Sequence, residues 1–434
     1  MKPPAHAATN GWYNILPAPA VARRVEGTFR VPWAVVGAGF TGLAAARTLA
    51  CHLPDETIAL IEAERVGFGT SGRNSGFVLE SHFMPHRLPF ADLERTRAAA
   101  RLSTGGRDIL KSLVRQHRIA CHWRDWGKLW VAASRAGERG LLLQRQGNDA
   151  LGIRHEALDR DGVEALTGTR FYNAGLKVEG TALVNPAALC RGLADTLPAN
   201  VALREESPVL EHQKGEPHRL VTPQGEVVAD GVILCTNVYS PSLGVARHAM
   251  APLVLYASLT RPMTPDEAGA AGGDRGGFGL LPAARGGSTI QRTPDDRLLV
   301  RNTLAYGPAA ASQPKRLDAA RLRHVDSIRR RWPAIADIDI EHTWGGCVGV
   351  TRNEGHVFGA IGDRLWASVG CNGAGIARGT MAGTLLADLV VGRDSELLRD
   401  QRRIPAPGWM PPEPLRGLIS RSHIREHAAD AAER

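Results

Sequence analysis

Gly37, Gly39 and Gly42 stand in the spacing G-x-G-x-x-G, with Phe40 and Thr41 between the last two, and Glu62 follows twenty residues after Gly42. The chemistry that needs this pattern is the binding of a dinucleotide. The first glycine permits a tight turn, and the second lets backbone approach a pyrophosphate. The third lets helix and strand pack closely, so the free N–H groups of the helix end face the phosphates. An acid at position 62, followed by Ala63, can accept hydrogen bonds from an adenosine ribose. A carboxylate there argues against a 2′-phosphate. Alone the glycine triplet is weak; with its acid it carries weight.

The elements that must position these residues are legible around them. Trp33-Ala34-Val35-Val36 is a short apolar run that reads as a buried strand, and Leu43 to Ala50 reads as a helix. Pro54-Asp55 breaks that helix, and Thr57 to Glu62 reads as a second buried strand. The result is a β-α-β unit with a parallel pairing.

Residues 65–77, Arg-Val-Gly-Phe-Gly-Thr-Ser-Gly-Arg-Asn-Ser-Gly-Phe, are too rich in glycine and small polar side chains to be core. Such a segment exposes backbone donors just past the strand edge. Here the chain resembles the D-amino-acid-oxidase-like superfamily of FAD enzymes, and within it the gamma-glutamylputrescine oxidoreductase type. The resemblance implies that Ser71, Gly72, Arg73, Asn74, Ser75 and Gly76 wrap the pyrophosphate and ribityl chain and reach the flavin ring. It also implies an adenine contact at Pro208-Val209 and a cofactor contact at Thr236-Asn237. It implies a second flavin-binding region formed by Trp344-Gly345-Gly346 and by Gly370-Cys371-Asn372-Gly373-Ala374-Gly375-Ile376. Relatives often carry a histidine where this chain has Ala374. A glycine loop opening a helix also supplies donors and a positive dipole end, suited to the N1/C2=O side of a reduced flavin.

Further expectations follow from that resemblance. FAD is the cofactor, bound without a covalent link, or through Cys347, which falls near the cysteine that sarcosine-oxidase relatives join to the flavin 8-methyl group. The implied reaction is oxidation of a C–N bond in an amine or amino acid, with hydride transfer to flavin N5 and hydrolysis of the imine. A polyamine conjugate or N-substituted amino acid is the expected substrate class, with oxygen or another acceptor taking the electrons. No nucleophile or metal is needed. Polar side chains inside apolar strands, Tyr256 and Arg301-Asn302, are the candidates for orienting substrate; a buried arginine requires an anion, either a substrate carboxylate or an internal Asp or Glu. His82, His86, His122, His342 and His356 are candidate bases, with structural roles as the alternative.

Other readings are a flavin monooxygenase, a flavoprotein subunit of an electron-transfer complex, and an NAD-only dehydrogenase. Gly362-Asp363 falls before a strand rather than at the start of the last helix, which argues against the monooxygenase. The second glycine loop argues against NAD alone. The six cysteines lie far apart, without metal or iron–sulfur spacing. The net charge of +9 is scattered and aromatic residues make up 5%, a poor match to a nucleic-acid face. No apolar run approaches a membrane span and no leader is evident, so the expected location is cytoplasmic.

The fold class is therefore α/β: a discontinuous Rossmann-like FAD-binding domain plus an α+β substrate domain with a mainly antiparallel sheet. The first takes residues 28–85, 155–240 and 340–400; the second takes 86–154 and 241–339. Residues 1–27 read as an N-terminal extension and 401–434 as a tail without assigned function. Residues 91–118, 135–147, 183–197, 316–332 and 376–391 read as helices. Residues 126–132, 227–236, 251–260, 288–304 (with a turn at Pro294-Asp295-Asp296) and 364–369 read as strands. Residues 264–278 read as a mobile surface segment.

Overall fold

The computed structural model describes residues 9–81, 92–311 and 313–429. It is an α/β architecture of two large sheets. The first has the order Val357–Gly362, Leu365–Val369, Gly225–Leu234, Gly27–Val36, Ile58–Ile61, Val201–Arg204, and Gly225–Leu234 also pairs with His218–Val221. Gly27–Val36 pairs parallel with Ile58–Ile61 and with Gly225–Leu234. Its last four residues are buried on both faces, as a central parallel strand requires.

The helix Phe40–His52 follows the first strand and packs against the late helix Ala377–Val390. Alanine and glycine permit the close approach: a Cβ on Gly383 would lie 2.0 Å from the Thr41 carbonyl oxygen. The long helix Leu93–His117 joins the same group. Gly106 in its middle looks unfavourable for a helix, yet a Cβ there would lie 1.9 Å from the Ala377 carbonyl oxygen. Tertiary contact overrides propensity.

The second sheet has the order Ile340–Val350, Ala251–Thr260, Leu298–Tyr306, Thr289–Arg292, Gly279–Pro282, Lys128–Ala132, Ala174–Val178, His155–Asp159. Every pairing is antiparallel except that of Gly279–Pro282 with Lys128–Ala132. The helix Pro314–Arg331 packs on its outer face.

The strand pairing redraws the expected boundaries. His155–Asp159, Ala174–Val178 and Ile340–Val350, grouped by sequence with the FAD-binding segments, belong to the second sheet. The helix Leu93–His117, grouped with the substrate segments, packs on Ala377–Val390 of the first. Order along the chain hides these swaps, because strands with similar apolar runs suit either sheet. Residues 264–278 also differ from the expected mobile segment. Thr264 caps the helix Pro265–Ala271 in a reciprocal capping box with Glu267, and Ala268 and Ala271 are buried.

Candidate active site

A cavity of about 620 Å³ lies between the two sheets and is lined by residues of both. One end is the glycine turn. Gly37 has φ +97°, and a Cβ on Gly42 would sit 1.7 Å from the Gly37 carbonyl oxygen, so only glycine lets the helix start here. Gly39, Phe40 and Thr41 line the cavity. Gly39 is the helix N-cap and makes no side-chain cap bond. That leaves the helix end open to an anion, apart from the Phe40 N–H, which lies 3.3 Å from the Ser71 hydroxyl. Glu62 Oε2 accepts from the Ala38 N–H at 2.8 Å and Oε1 from the Glu64 N–H at 3.1 Å. Burial raises the carboxyl against the pull of these bonds. Ala63 and Val209 line the same end.

The Ser71–Gly76 loop is held from behind. Arg73 is buried, donates from Nε to the Phe68 carbonyl at 2.8 Å and from Nη1 to the Gly345 carbonyl at 3.1 Å. Burial lowers its pKa to about 10, with Glu64 and Tyr239 opposing. Asn74 donates to the Ser71 carbonyl at 2.6 Å and accepts from the Gly76 N–H at 2.8 Å, so its amide shapes the loop. Gly72 and Gly76 serve the turn: added Cβ atoms would lie 1.8 Å from the Gly67 and 2.2 Å from the Val184 carbonyl oxygens. Ser71, Arg73, Asn74 and Ser75 line the cavity. Trp344 is buried, and its indole N–H binds the Arg73 carbonyl at 3.1 Å.

The expected N-terminal extension takes part in this support. Buried Asn10 donates to the Gly67 and Gly72 carbonyls, each at 3.1 Å, and Trp12 donates to the Asn74 carbonyl at 2.9 Å. Asparagine and tryptophan near a chain start carry no local signal for such long-range contacts.

The second glycine loop closes the cofactor side. Asn372 (φ +52°) accepts from the Thr351 N–H at 2.7 Å and donates to the Gly370 carbonyl at 2.8 Å. Asn237 accepts from the Gly370 N–H at 3.1 Å, tying this loop to the strand end at Thr236, whose hydroxyl meets that of Ser240 at 2.8 Å. Gly370, Asn372, Gly373, Gly375 and Ile376 line the cavity; Ala374 is buried outside the lining. Ile376, the N-cap of Ala377–Val390, makes no side-chain cap bond, and a Cβ on Gly373 would meet nothing within 4 Å. Two open helix ends, a bare glycine cradle and a ribose-ready carboxylate fit FAD.

The other end is the second sheet. Arg301 faces Thr289 and Leu281 faces Trp130 on neighbouring strands, and all four line the cavity. Arg301 donates from Nη2 to the Thr289 hydroxyl at 2.6 Å, while its Nε is buried without a partner. Among the described residues no carboxylate offsets it, and burial alone lowers its pKa to about 10. Of the described residues lining the cavity only Glu62 and Glu64 carry carboxylates, both at the opposite end, beside the glycine turn.

Tyr256 is a correction. Leu253, Leu255 and Ala257 line the cavity, whereas Tyr256 packs with Val254, Ala305 and Ala320 and its hydroxyl accepts from the Gln313 N–H at 3.5 Å. Strand alternation turns it to the outer face, so it does not orient substrate.

Lys128, Trp130 and Thr289 were not singled out by sequence. Lys128 is a buried lysine that lines the cavity and bonds Glu80 Oε1 at 2.5 Å, with Thr181 completing the carboxylate. A lysine opening an apolar strand was the available signal. Cys347 lines the cavity, and burial pushes its thiol up to about 12.

His82 and His86 lie outside the described residues. His122 is exposed, and His342 sits beside Glu341 at 3.7 Å. His356 lines the cavity, but Gln401 and Ser368 hold its two nitrogens at 3.0 and 3.1 Å, and burial lowers it to about 3.

A mixed sheet with a parallel core that carries the glycine turn, facing a mainly antiparallel sheet across one cavity, is a two-domain flavoenzyme architecture. Residues 32–389 match the family described as FAD dependent oxidoreductase (DAO), and the chain belongs to it. The chain is 27% identical to the probable oxidoreductase OrdL of Rhizobium meliloti, over 91% of each chain. It is 26% identical to the gamma-glutamylputrescine oxidoreductase of Escherichia coli, over 82% of this chain and 83% of that one. Glycine oxidase from Geobacillus kaustophilus shares the fold, with a TM-score of 0.72, 18% identity, and coverage of 85% of this chain and 96% of that structure. The protein is an FAD-dependent oxidoreductase.

Proposed function

We propose that this enzyme oxidises the C–N bond of an amine or amino acid that carries a carboxylate, and that Arg301 binds that carboxylate. The observation that carries this reading is the Arg301 guanidinium, charged, facing the cavity and offset by no acid. Thr289 aims it, and Leu255, Leu281 and Trp130 supply apolar wall around it. The lack of a carboxylate at this end disfavours a free polyamine, whose cationic tail would find no counter-ion. An N-substituted amino acid fits, as does a polyamine conjugate with an acidic end. The relatives whose names specify glycine and gamma-glutamylputrescine are consistent with either.

FAD, when bound, supplies the hydride acceptor. The chain's part is to hold the substrate by its carboxylate, to keep the cofactor's phosphates on open helix ends, and to wall off water with apolar side chains. The imine product is then hydrolysed, with oxygen or another acceptor regenerating the oxidised enzyme. Glu62 binds the ribose, and the Ser71–Ser75 and Gly370–Ile376 loops hold the rest of the cofactor without a covalent link, because the Cys347 thiol is held neutral.

The test is an anaerobic screen of N-substituted amino acids, acidic polyamine conjugates and their decarboxylated analogues, read by bleaching of the flavin absorbance. Carboxylated amines should bleach it far faster than their decarboxylated analogues; equal rates for the two, bleaching by NADPH, or bleaching by no amine at all, would overturn the proposal.

A further inference from the structure

The cavity does not stop at Arg301. Ala257 pairs with Arg301 and Arg301 with Thr289, while Leu281 pairs with Trp130. Leu280 pairs with Ile290, so the antiparallel register sets Leu281 opposite Thr289. Ala257, Arg301, Thr289, Leu281 and Trp130 therefore form one row across five adjacent strands, and all of them line the cavity. Strands of a sheet lie about 4.8 Å apart, which puts Trp130, three strands away, about 14 Å beyond Arg301. The Ser71–Gly76 loop lies at the other end of the row. There Ala257 pairs with Trp344, next to the Gly345 carbonyl that Arg73 binds.

The wall beyond Arg301 is mainly apolar. Leu281 and Trp130 are only half-buried although their strands lie inside the sheet, so the surface they expose faces the cavity. Lys128, two residues before Trp130 and on the same face, also lines the cavity, but Glu80 already holds its ammonium at 2.5 Å. Arg285, on the turn joining two of these strands, has a partner of its own. A charged tail would find Lys128 neutralised.

On the reading of Arg301 as the carboxylate anchor, we propose that the enzyme's amino-acid substrate carries a long apolar substituent on nitrogen, laid over Thr289, Leu281 and Trp130. The row leads away from the cofactor loops, so a substrate anchored at Arg301 can keep its C–N bond beside them while its tail runs outward. Covering apolar wall contributes to binding in proportion to area, roughly fourfold for each methylene buried. A methyl substituent would leave both Leu281 and Trp130 bare.

The experiment follows anaerobic flavin bleaching of the full-length holoenzyme at low substrate. It compares N-methyl-, N-butyl- and N-octylglycine with the corresponding N-alkylmethylamines, which lack the carboxylate. The rate should rise at least about 50-fold from N-methyl- to N-octylglycine. Leu281→Trp narrows the row at its middle and should cut that octyl-to-methyl ratio at least about tenfold, with flavin absorbance retained. Trp130→Ala removes wall instead of adding bulk and should cut the ratio about fivefold, which covers a Leu281→Trp chain that fails to fold. A carboxylate preference with no rise along the series overturns the proposal and leaves Arg301 its role, as does an unchanged ratio in both variants. Equal rates for glycines and amines at every length remove the anchor and the proposal together. Flavin lost from a Leu281→Trp chain that melts normally overturns it too, because the cofactor would then fill the row.

Discussion

The two ends of the cavity are built on different principles. At the cofactor end the polar side chains are turned inward to the protein: Asn10, Asn74, Asn237 and Asn372 each bind backbone groups, and Arg73 binds carbonyls. What this end presents to a ligand is mainly backbone N–H at two helix starts. At the substrate end the side chain itself is presented, a guanidinium whose charge no acid of the cavity wall offsets. Recognition by backbone tolerates few substitutions because its geometry rests on glycines. Recognition by a side chain concentrates affinity and specificity in one group.

The largest expected effect lies at the cofactor end. Gly42→Ala places a Cβ 1.7 Å from the Gly37 carbonyl oxygen, a backbone atom that cannot move without opening the turn. The purified variant should lack flavin absorbance, with FAD affinity reduced by at least about 100-fold. Gly373→Ala sharpens the point, since no neighbour lies within 4 Å and only its φ of +88° is at stake. Backbone strain of roughly 1–2 kcal/mol should weaken FAD about tenfold, measured by fluorescence titration.

At the substrate end, Arg301→Met should lower kcat/KM for carboxylated amines by about 100- to 1000-fold, in line with the 2–5 kcal/mol of a lost buried charge contact. The drop should vanish for decarboxylated analogues. Because the side chain is a half-buried charge whose Nε is enclosed without a partner and which no acid offsets, its removal should leave the apoprotein's melting temperature unchanged or raised. Lys128→Met tests the opposite case. It strands Glu80 in the interior, and thermal unfolding should show a loss of about 3–5 kcal/mol. If both variants melt alike, the distinction between an offset and an unoffset cation fails.

This contrast also explains what the sequence disclosed. The glycine spacing, Glu62, the Ser71–Gly76 loop and the Gly370–Ile376 loop were legible because each answers a local backbone demand within a few residues. The support beneath them was not. Asn10 reaches Gly67 and Trp12 reaches Asn74 across more than fifty positions. Arg301 was legible as a polar residue in an apolar strand, but Tyr256 has the same signature and faces the other way. Which face of the Ala251–Thr260 strand meets the cavity is set by the second sheet's packing on the helix Pro314–Arg331. No local pattern encodes that choice. The strands His155–Asp159 and Ala174–Val178 were grouped with the wrong sheet for the same reason: pairing partners are non-local.

A smaller effect should separate the ends by pH. Burial raises the Glu62 carboxyl above its ordinary 4.5. In the window between that value and the raised one, the folded apoprotein holds the proton more tightly than the unfolded chain. The stability this confers is present at low pH and is lost as pH rises through the raised value. With Glu62 binding the ribose as proposed, cofactor binding would run the other way, because ribose hydroxyls would donate to the ionised form. FAD affinity should therefore fall as pH drops through a window higher than an ordinary carboxylate's. Titrations from about pH 7 to about pH 4.5 should show this step in the wild type and not in Glu62→Gln. A step of the same size in both would assign it to another group.

The smallest effects are expected where a residue lies close to the cavity without serving either end. Tyr256→Phe removes a hydroxyl that accepts one long bond, 3.5 Å from the Gln313 N–H, on the outer face. KM should change by less than about twofold, and stability by about 0.5 kcal/mol or less. Cys347→Ser is the closer test, because this thiol does line the cavity. A covalent link through it requires a thiolate, and burial holds the group at about 12. Acid precipitation of the wild type should leave yellow flavin in the supernatant, and Cys347→Ser should give the same partition with turnover within about twofold. Flavin retained in the wild-type pellet and released from Cys347→Ser would mean that the bound cofactor itself lowers the thiol's pKa. The cofactor end would then owe its hold to a side chain after all, and the contrast between the two ends would narrow to the glycine turn.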